Sequence, residues 1–201
     1  MSRTFAFAAV VTVAATLAGT LWLTFRSTED LAYAECRSST VAGDIGGPFE
    51  LINGDGETVT DQDVITAPTL IYFGYTFCPD VCPFDVDRNA HAVEILEEQG
   101  KMVTPVFISI DPKRDTPEVV KEFAEVMHPR MIGLTGSEEQ VRQASQAYRT
   151  YYSAQPAVDD DYLVDHTTLS YLVMPDAGFV EFFRREVPPQ ELADKIGCFV
   201  S

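Results

Sequence analysis

The sequence predicts an α/β domain built on a central sheet with helices on both faces. Two apolar, β-rich runs, 69–75 and 103–110, are each followed by a helical pattern, and the chain then offers a β-hairpin and a closing helix. Short apolar runs of this kind are typical of strands that are covered on both faces. At 201 residues, the chain suits one such domain plus an appendage.

The first half of the domain begins with a hairpin signal. A Gly-rich and then apolar stretch, 45–52, leads into the turn sequence Asn-Gly-Asp-Gly at 53–56, which predicts an opening β-hairpin. After the strand at 69–75, apolar residues recur at three- and four-residue spacing from Pro83 to about Gln99. This spacing predicts a helix that Gly100 ends.

The second half carries clear helix-start signals. After the strand at 103–110, the sequence Asp-Thr-Pro-Glu at 115–118 supplies a cap, a proline in the first helical turn and an acid beside it. Ser137 and Gln140 match a capping box for a helix to about Arg149. The Pro- and Asp-rich segment 153–165 is predicted to be a loop. The remaining predicted elements are a β-hairpin at 168–183 and a closing helix at 189–196.

The N-terminal 26 residues predict a membrane anchor. From Phe5 to Phe25 there are 21 uncharged residues, bounded by Arg3 and Arg26. At about 1.5 Å per residue, a helix of this length spans the roughly 30 Å core of a bilayer. The predicted organisation is therefore an anchor at 1–26, a polar tether at 27–42 and the folded domain at 43–201, outside the cytoplasm.

A cleaved secretory signal is the alternative for this segment. The sequence Ala-Tyr-Ala at 32–34 has the small-x-small form that a signal peptidase accepts. However, the apolar run is longer than the usual signal core, and charged residues lie before the candidate cleavage site. No lipobox precedes Cys36, which disfavours lipidation.

The strongly acidic charge argues against one class of function. The formal net charge is −17, and removing Arg3 and Arg26 with residues 1–26, which contain no acids, leaves −19 for the remainder. A domain this acidic repels phosphate backbones, so nucleic-acid binding is disfavoured.

Two of the four cysteines, Cys78 and Cys82, lie at a predicted strand-to-helix junction. The positive end of a helix favours thiolate over thiol, so the pair suits either a thiol–disulfide switch or a soft metal ion. Structural zinc requires four ligands and only two sulfurs are local, whereas Cu(I) accepts two thiolates and one imidazole. Two inert core cysteines are the bland alternative. Cys36 and Cys198 are a candidate disulfide, if the domain termini lie close.

His166 lies 84 residues after Cys82, beside the start of a predicted strand. It is the candidate imidazole ligand. His91 and His128 are predicted to be structural or surface residues, and Tyr148, Tyr151 and Tyr152 to be packing residues. The acidic run 159–161 is predicted to be a solvated loop, with calcium binding as an alternative.

Four motifs resemble the Sco/SenC family of copper proteins that act in cytochrome c oxidase assembly. They are YFGYTFCPDVCP at 72–83, ISIDPKRDTPE at 108–118, GLTGSEEQV at 133–141 and DYLVDHTTLSYLVMPDAGF at 161–179. The resemblance covers about residues 43–197 and implies a thioredoxin-like, peroxiredoxin-related fold on a membrane tether. The sequence differs from the family at Phe77, where some relatives carry a polar residue or histidine. It also differs at 84–86, where Phe-Asp-Val replaces the more usual residues after the second cysteine.

The resemblance implies a metal site formed by Cys78, Cys82 and His166. Asp165 would assist the orientation of the histidine, and Asp111 would have a structural or outer-shell role. The implied function is a metallochaperone of the bacterial inner membrane, with its domain in the periplasm, that passes Cu(I), or also Cu(II), to the dinuclear copper site of cytochrome c oxidase. The alternatives are an oxidoreductase that uses Cys78 and Cys82 as a redox pair to reduce the target's cysteines, and a redox sensor.

Overall fold

The computed structural model describes residues 45–156 and 161–200, the stretch 33–37, and residues 13, 16–17 and 19–20. The chain divides into two units, 1–37 and 38–201. The described positions between 13 and 20 are helical. In the described part of the chain, no helix is both long and apolar enough to cross a bilayer. Most of the predicted anchor, most of the tether and two residues of the 159–161 run lie outside the described residues, so these assignments stay predictions.

Unit 38–201 alternates strands and helices. The strands are β1 (Glu50–Asn53), β2 (Thr58–Thr60), β3 (Thr69–Gly74), β4 (Thr104–Ser109), β5 (Ile132–Thr135), β6 (Tyr152–Ala154), β7 (Val164–His166), β8 (Leu169–Met174) and β9 (Gly178–Arg184). The helices are α1 (Asp61–Val64), α2 (Val81–Glu98), α3 (Pro117–Met127), α4 (Glu138–Ala147) and α5 (Pro189–Phe199).

The predicted helix-start signals are confirmed for two helices. The Thr116 hydroxyl caps α3, whose first residue is Pro117. The side chains of Ser137 and Gln140 form the capping box of α4. Both caps satisfy amide groups that have no partner inside a helix.

The main sheet has seven strands in the order β2-β1-β5-β4-β3-β8-β9. Strands β3, β4 and β5 are parallel, whereas β1 is antiparallel to β5 and to β2, and β8 is antiparallel to β3. The carboxyl ends of β3 and β4 therefore lie at the same edge of the sheet, where open α/β sheets place their sites.

Helices cover both faces of this sheet, as the alternation of elements predicts. On one face, the Tyr72 hydroxyl donates to Asp85 of α2, and the ring centroid of Phe107 lies 4.6 Å from that of Phe123 in α3. On the opposite face, the ring of Phe73 lies 5.4 Å from that of Tyr148, which directly follows α4. All six residues of β3 are buried, which requires a cover on each face because successive side chains point in opposite directions.

A buried polar network fixes α2 against strands β8 and β9 of the main sheet. The Arg88 guanidinium donates to the Ser170 hydroxyl over 2.8 Å and to the Arg184 carbonyl over 2.6 Å. The Asn89 amide donates to the same Ser170 oxygen over 2.9 Å. Because buried polar groups are costly without partners, these bonds specify where α2 lies and therefore where its N-terminus begins.

Strands β6 and β7 form a separate two-stranded sheet, and the prediction of a loop at 153–165 is therefore wrong at both ends of that segment. Tyr152 pairs with His166 and Ala154 with Val164, so the segment predicted as a loop contains two short strands. The Thr167 amide also donates to the Tyr151 carbonyl over 2.9 Å, which extends the pairing by one step. Each strand has only three residues, too few to show a period in a Pro- and Asp-rich sequence.

The close approach of α3 to β5 depends on Gly133. A Cβ atom at this position would lie 2.3 Å from the Val120 carbonyl oxygen, which is helix backbone and has no room to yield. We expect Gly133→Ala to lower the free energy of unfolding by about 1–3 kcal/mol, as overpacking does. Urea unfolding followed by far-UV circular dichroism measures the change.

Gly197→Ala is the matched control. In α5 the added Cβ would make only ordinary contacts, the nearest at 3.4 Å from the Lys101 amine. Alanine is favoured over glycine in a helix by about 1 kcal/mol, so we expect a neutral or stabilising effect. Equal destabilisation by the two substitutions would contradict this account of Gly133.

Candidate metal centre

Cys78 and Cys82 lie at the carboxyl edge of the sheet. Cys78 is in the loop after β3 and is 8% exposed, whereas Cys82 lies in the first turn of α2 and is fully buried. The Cys82 amide donates to the Cys78 sulfur over 3.4 Å. Gly74 lets the buried sulfur approach the strand, because a Cβ there would lie 3.0 Å from Cys82 Sγ.

A buried carboxylate holds the loop that carries Cys78. Asp115, at the end of the segment after β4, accepts from the Thr76 amide over 3.0 Å and from the Thr76 hydroxyl over 2.6 Å. It also accepts from the Ser109 hydroxyl. Burial raises the pKa of Asp115, and these donors oppose that effect. The loop is thereby tied to β4 two residues before Cys78.

His166 lies against the buried sulfur. Its Nε2 atom is 3.3 Å from Cys82 Sγ, and its Nδ1 atom is 3.1 Å from the Val164 carbonyl oxygen. A carbonyl oxygen can only accept, so in the neutral ring Nδ1 carries the proton and the lone pair is on Nε2. The ring therefore presents its unprotonated nitrogen to Cys82.

Two tyrosines hold this ring in place. Tyr75 and Tyr72 pack edge-on to His166, with centroids at 5.7 Å and 6.4 Å. The Tyr75 hydroxyl also accepts from the Val164 amide over 3.2 Å, which fixes the strand two residues before the histidine. The orientation of the His166 ring is thus set by β7, by Tyr72 in β3 and by Tyr75, which directly follows β3.

Tyr72, Asp85 and Arg185 form a polar path away from the site. The Tyr72 hydroxyl lies 3.5 Å from His166 Nε2 and donates to Asp85 over 3.0 Å. The Asp85 carboxylate lies 3.5 Å from the half-exposed Arg185 guanidinium. Burial raises the pKa of Asp85, which the Tyr72 hydrogen bond and Arg185 oppose. Sequence reasoning missed these three residues, although Tyr72 lies within a quoted motif.

The two cysteines differ strongly in acidity. A hydrogen bond from the Cys82 thiol lowers the pKa of Cys78 to about 5; burial opposes the shift, and the amides of Cys82 and Asp80 support it. The same hydrogen bond, together with burial, raises the pKa of Cys82. The reduced pair therefore holds one proton, with the thiolate on the more exposed sulfur.

The structure brings His166 to Cys82 and places Cys78 beside Cys82. Among the described residues, no three His, Cys, Asp or Glu side chains form a closed metal-binding group. Cys78 and Cys82 are free thiols. Neither Cys36 nor Cys198 is a free thiol, and the bond that the sequence suggests between them stays a prediction.

The other candidate residues have different partners. Asp165 is exposed and accepts from the Gln155 amide over 2.8 Å, so the Val164 carbonyl, and not this carboxylate, contacts Nδ1 of His166. His91 is exposed and lies 3.4 Å from Asp87, whereas buried His128 lies 3.3 Å from Glu97. Both histidines have the surface or structural contacts that the sequence predicts.

Fold and site together define a class: a thioredoxin-like α/β protein with a free cysteine pair at a helix N-terminus and an imidazole beside the buried sulfur. The SCO1/SenC family model matches residues 37–201, and the chain belongs to this family.

Relatives of known name support this assignment. Protein SenC of Rhodobacter capsulatus is 49% identical over 201 residues, which is 99% of this chain and 91% of the relative. The mitochondrial "Protein SCO1 homolog" of Homo sapiens is 43% identical over 155 residues. That match covers 76% of this chain and 52% of the human protein, so the chain spans about half the length of this relative.

Two similar structures were solved with copper bound. Arabidopsis thaliana ScoI superposes with a TM-score of 0.71 at 43% identity, over 76% of this chain and 95% of that chain. Bradyrhizobium japonicum ScoI superposes with a TM-score of 0.69 at 38% identity, over 76% of this chain and 98% of that chain.

The asymmetry of the cysteine pair predicts a specific pH dependence. Because the pKa of Cys78 is lowered to about 5, its reactive thiolate persists as pH falls through neutrality and is lost only near pH 5. We expect the iodoacetamide alkylation rate of Cys78 in the reduced, metal-free protein to have its midpoint there. Peptide mass spectrometry separates Cys78 from Cys82, which should stay unmodified. A midpoint near the ordinary thiol value of about 8.5 would contradict the prediction.

Proposed function

We propose that this chain binds copper through Cys78, Cys82 and His166 and delivers it to the dinuclear copper site of cytochrome c oxidase. The observation that carries the proposal is the 3.3 Å approach of His166 Nε2 to Cys82 Sγ, with the nitrogen lone pair facing the sulfur. Membership of the SCO1/SenC family and the copper-bound relatives support it.

The donor set fits a soft metal ion. Two sulfurs and one imidazole nitrogen suit Cu(I), and the same set has a nitrogen donor that Cu(II) accepts. Cys78 already favours the thiolate, so binding must displace a proton mainly from Cys82. Affinity should therefore fall as the pH falls, because protons compete for the same lone pairs.

The surroundings of the pair suit transfer to a partner. Cys78 is the more exposed sulfur, and the flanking rings of Phe77 and Phe84 are 57% and 68% exposed. His166 lies on β7, outside the main sheet, so the imidazole can withdraw with its own small sheet while Cys78 stays in the loop after β3 and Cys82 stays on α2. An acceptor that meets this face contacts the site at Cys78.

We also propose where the protein is located. A helix at 1–26 would anchor the protein in the inner membrane of a bacterium, with residues 43–201 in the periplasm. The uncharged run from Phe5 to Phe25 supports the anchor. This placement would bring the domain to the side of the membrane where a periplasmic copper site is assembled.

A thiol–disulfide oxidoreductase is the second candidate, because Cys78 is 8% exposed and its neighbour Cys82 is fully buried. In this reaction the Cys78 thiolate attacks a target disulfide, forms a mixed disulfide and releases one target thiolate. Cys82, after losing its proton, then attacks the Cys78 sulfur and releases the second target thiolate. The target gains two electrons and this chain becomes the disulfide, which cannot hold copper.

The copper proposal predicts the loss of tight binding when a ligand is removed. We expect Cys78→Ser and Cys82→Ser to abolish tight Cu(I) binding and His166→Ala to weaken it by about tenfold or more, because a donor is lost. Competition titration of the reduced protein against a Cu(I) chelator measures the affinity. His91→Ala is the matched control, since its exposed ring lies on α2 and pairs with Asp87. Unchanged affinity in His166→Ala would remove this residue from the site.

The oxidoreductase candidate predicts a different pattern. Cys82→Ser should trap a mixed disulfide between Cys78 and a disulfide-bonded target peptide, because the buried thiol is no longer there to resolve it. His166→Ala should retain dithiol oxidation. Mass spectrometry of the non-reduced products detects the adduct. Oxidase assembly that survives His166→Ala despite weakened copper binding would favour this second function over the first.

A further inference from the structure

Arg114 lies in the segment between β4 and α3, close to the site but outside the proposed ligand set. Its side chain is only 10% exposed, and its Nε atom donates to the buried Asp111 carboxylate. The guanidinium carbon lies 3.7 Å from the centroid of the Tyr162 ring. This short distance places the cation directly over an aromatic face, where the ring quadrupole attracts it.

Tyr162 and Asp111 complete a closed group with Arg114. The Tyr162 hydroxyl donates to the second Asp111 oxygen over 2.6 Å, so the carboxylate binds the arginine and the tyrosine at once. Tyr162 lies four residues before His166 and two before β7. The group therefore connects the segment before β7, the strand that carries His166, to the segment that follows β4.

The same guanidinium also faces the other side of the site. It lies 5.0 Å from the Phe77 ring, which directly precedes Cys78, and 5.6 Å from the Tyr75 ring. Tyr75 in turn packs against His166 and accepts from the Val164 amide. One cation thus contacts both segments whose separation sets the distance from the imidazole to the sulfurs.

The β6–β7 sheet lines an open pocket. A cavity of about 670 Å³ is lined by Tyr152 and Ala154 of β6, by Val164 of β7 and by Tyr162 and Asp111. Because this small sheet is separate from the main sheet, backbone pairing with the main strands does not fix it. Side-chain contacts such as those of Arg114 must hold it in place.

From these contacts we propose that Arg114 is a positioning residue: it holds the His166 ring at the cysteine pair by binding Tyr162 and Asp111 on one side and facing Phe77 on the other. The inference deepens the proposed copper function and rests on it for one of its two tests. Arginine suits the task because its planar guanidinium stacks on a ring and donates at once, which a lysine ammonium cannot do.

The first test needs no metal. We compare reduced, metal-free protein with its Arg114→Gln variant and, as matched control, Arg130→Gln, which removes a partly buried arginine paired with Glu97 at the end of α2. Long-range ¹H–¹⁵N NMR at one fixed pH reports the protonated nitrogen of His166 and the exchange broadening of its ring. We expect Arg114→Gln alone to change the tautomer signal and broaden the ring resonances, since the bond from Nδ1 to the Val164 carbonyl depends on where β7 lies.

The second test is a double-mutant cycle on Cu(I) affinity. We expect Arg114→Gln to weaken binding by roughly tenfold, as the loss of an outer partner of a ligand does, and Arg114→Lys to fall between this variant and the parent. In a His166→Ala background, the same Arg114→Gln change should cost less than about twofold, because its effect passes through the ring that is already absent.

Each result decides the proposal. An unchanged His166 spectrum in Arg114→Gln, or an undiminished loss of affinity in the His166→Ala background, would overturn it. If the parent protein binds no Cu(I), the copper function fails, and the NMR comparison still decides the role of Arg114. If Arg114→Gln does not fold, Arg114→Lys keeps the charge but loses the planar group that stacks and donates at once, and it carries the same expectations at a smaller amplitude.

Discussion

Cys82 and His166 meet because of the antiparallel pairing of β3 with β8. In this register Tyr72 lies opposite Ser170, so the end of β3 is next to the start of β8. Cys82 follows β3 after one short loop, and His166 precedes β8 by three residues. Strand pairing thereby brings two residues that are 84 positions apart in the sequence to the same edge of the sheet. A one-residue slip of this register would move every side chain of the strand to the other face.

The sequence could predict the elements of this arrangement better than their registers. Apolar runs and helix caps predict β3, β4, α3 and α4, because these signals are local. The cysteine pair at a helix N-terminus is also a local pattern, and the resemblance of four motifs adds His166. The contacts of His166 with Tyr72, Tyr75 and the Val164 carbonyl depend on strands that meet only in the folded chain. The short β6–β7 pairing lies below the length at which a period can be recognised.

Burial explains why the two sulfurs behave differently despite their proximity. Cys82 is packed beneath β3, where the charged form is costly, and it donates its proton toward Cys78. Cys78 gains that hydrogen bond and the amides at the start of α2, so it carries the negative charge close to the surface. An incoming electrophile, whether a metal ion or a disulfide, therefore meets Cys78 first. The buried sulfur completes the reaction only after it loses its proton.

The two chemistries proposed for this site exclude each other at any one moment. A metal ion needs both sulfurs reduced and the lone pair of His166 Nε2 free, whereas disulfide formation consumes the sulfur electron pairs that would bind it. The two chemistries differ in their use of His166. Metal binding uses the imidazole as a third ligand, whereas disulfide exchange takes place between sulfur atoms. In this protein, contacts with Tyr72, Tyr75 and the β6–β7 sheet orient that ring. A nitrogen lone pair that faces the cysteine pair can bind a metal ion held by those sulfurs, and this orientation supports the metal proposal.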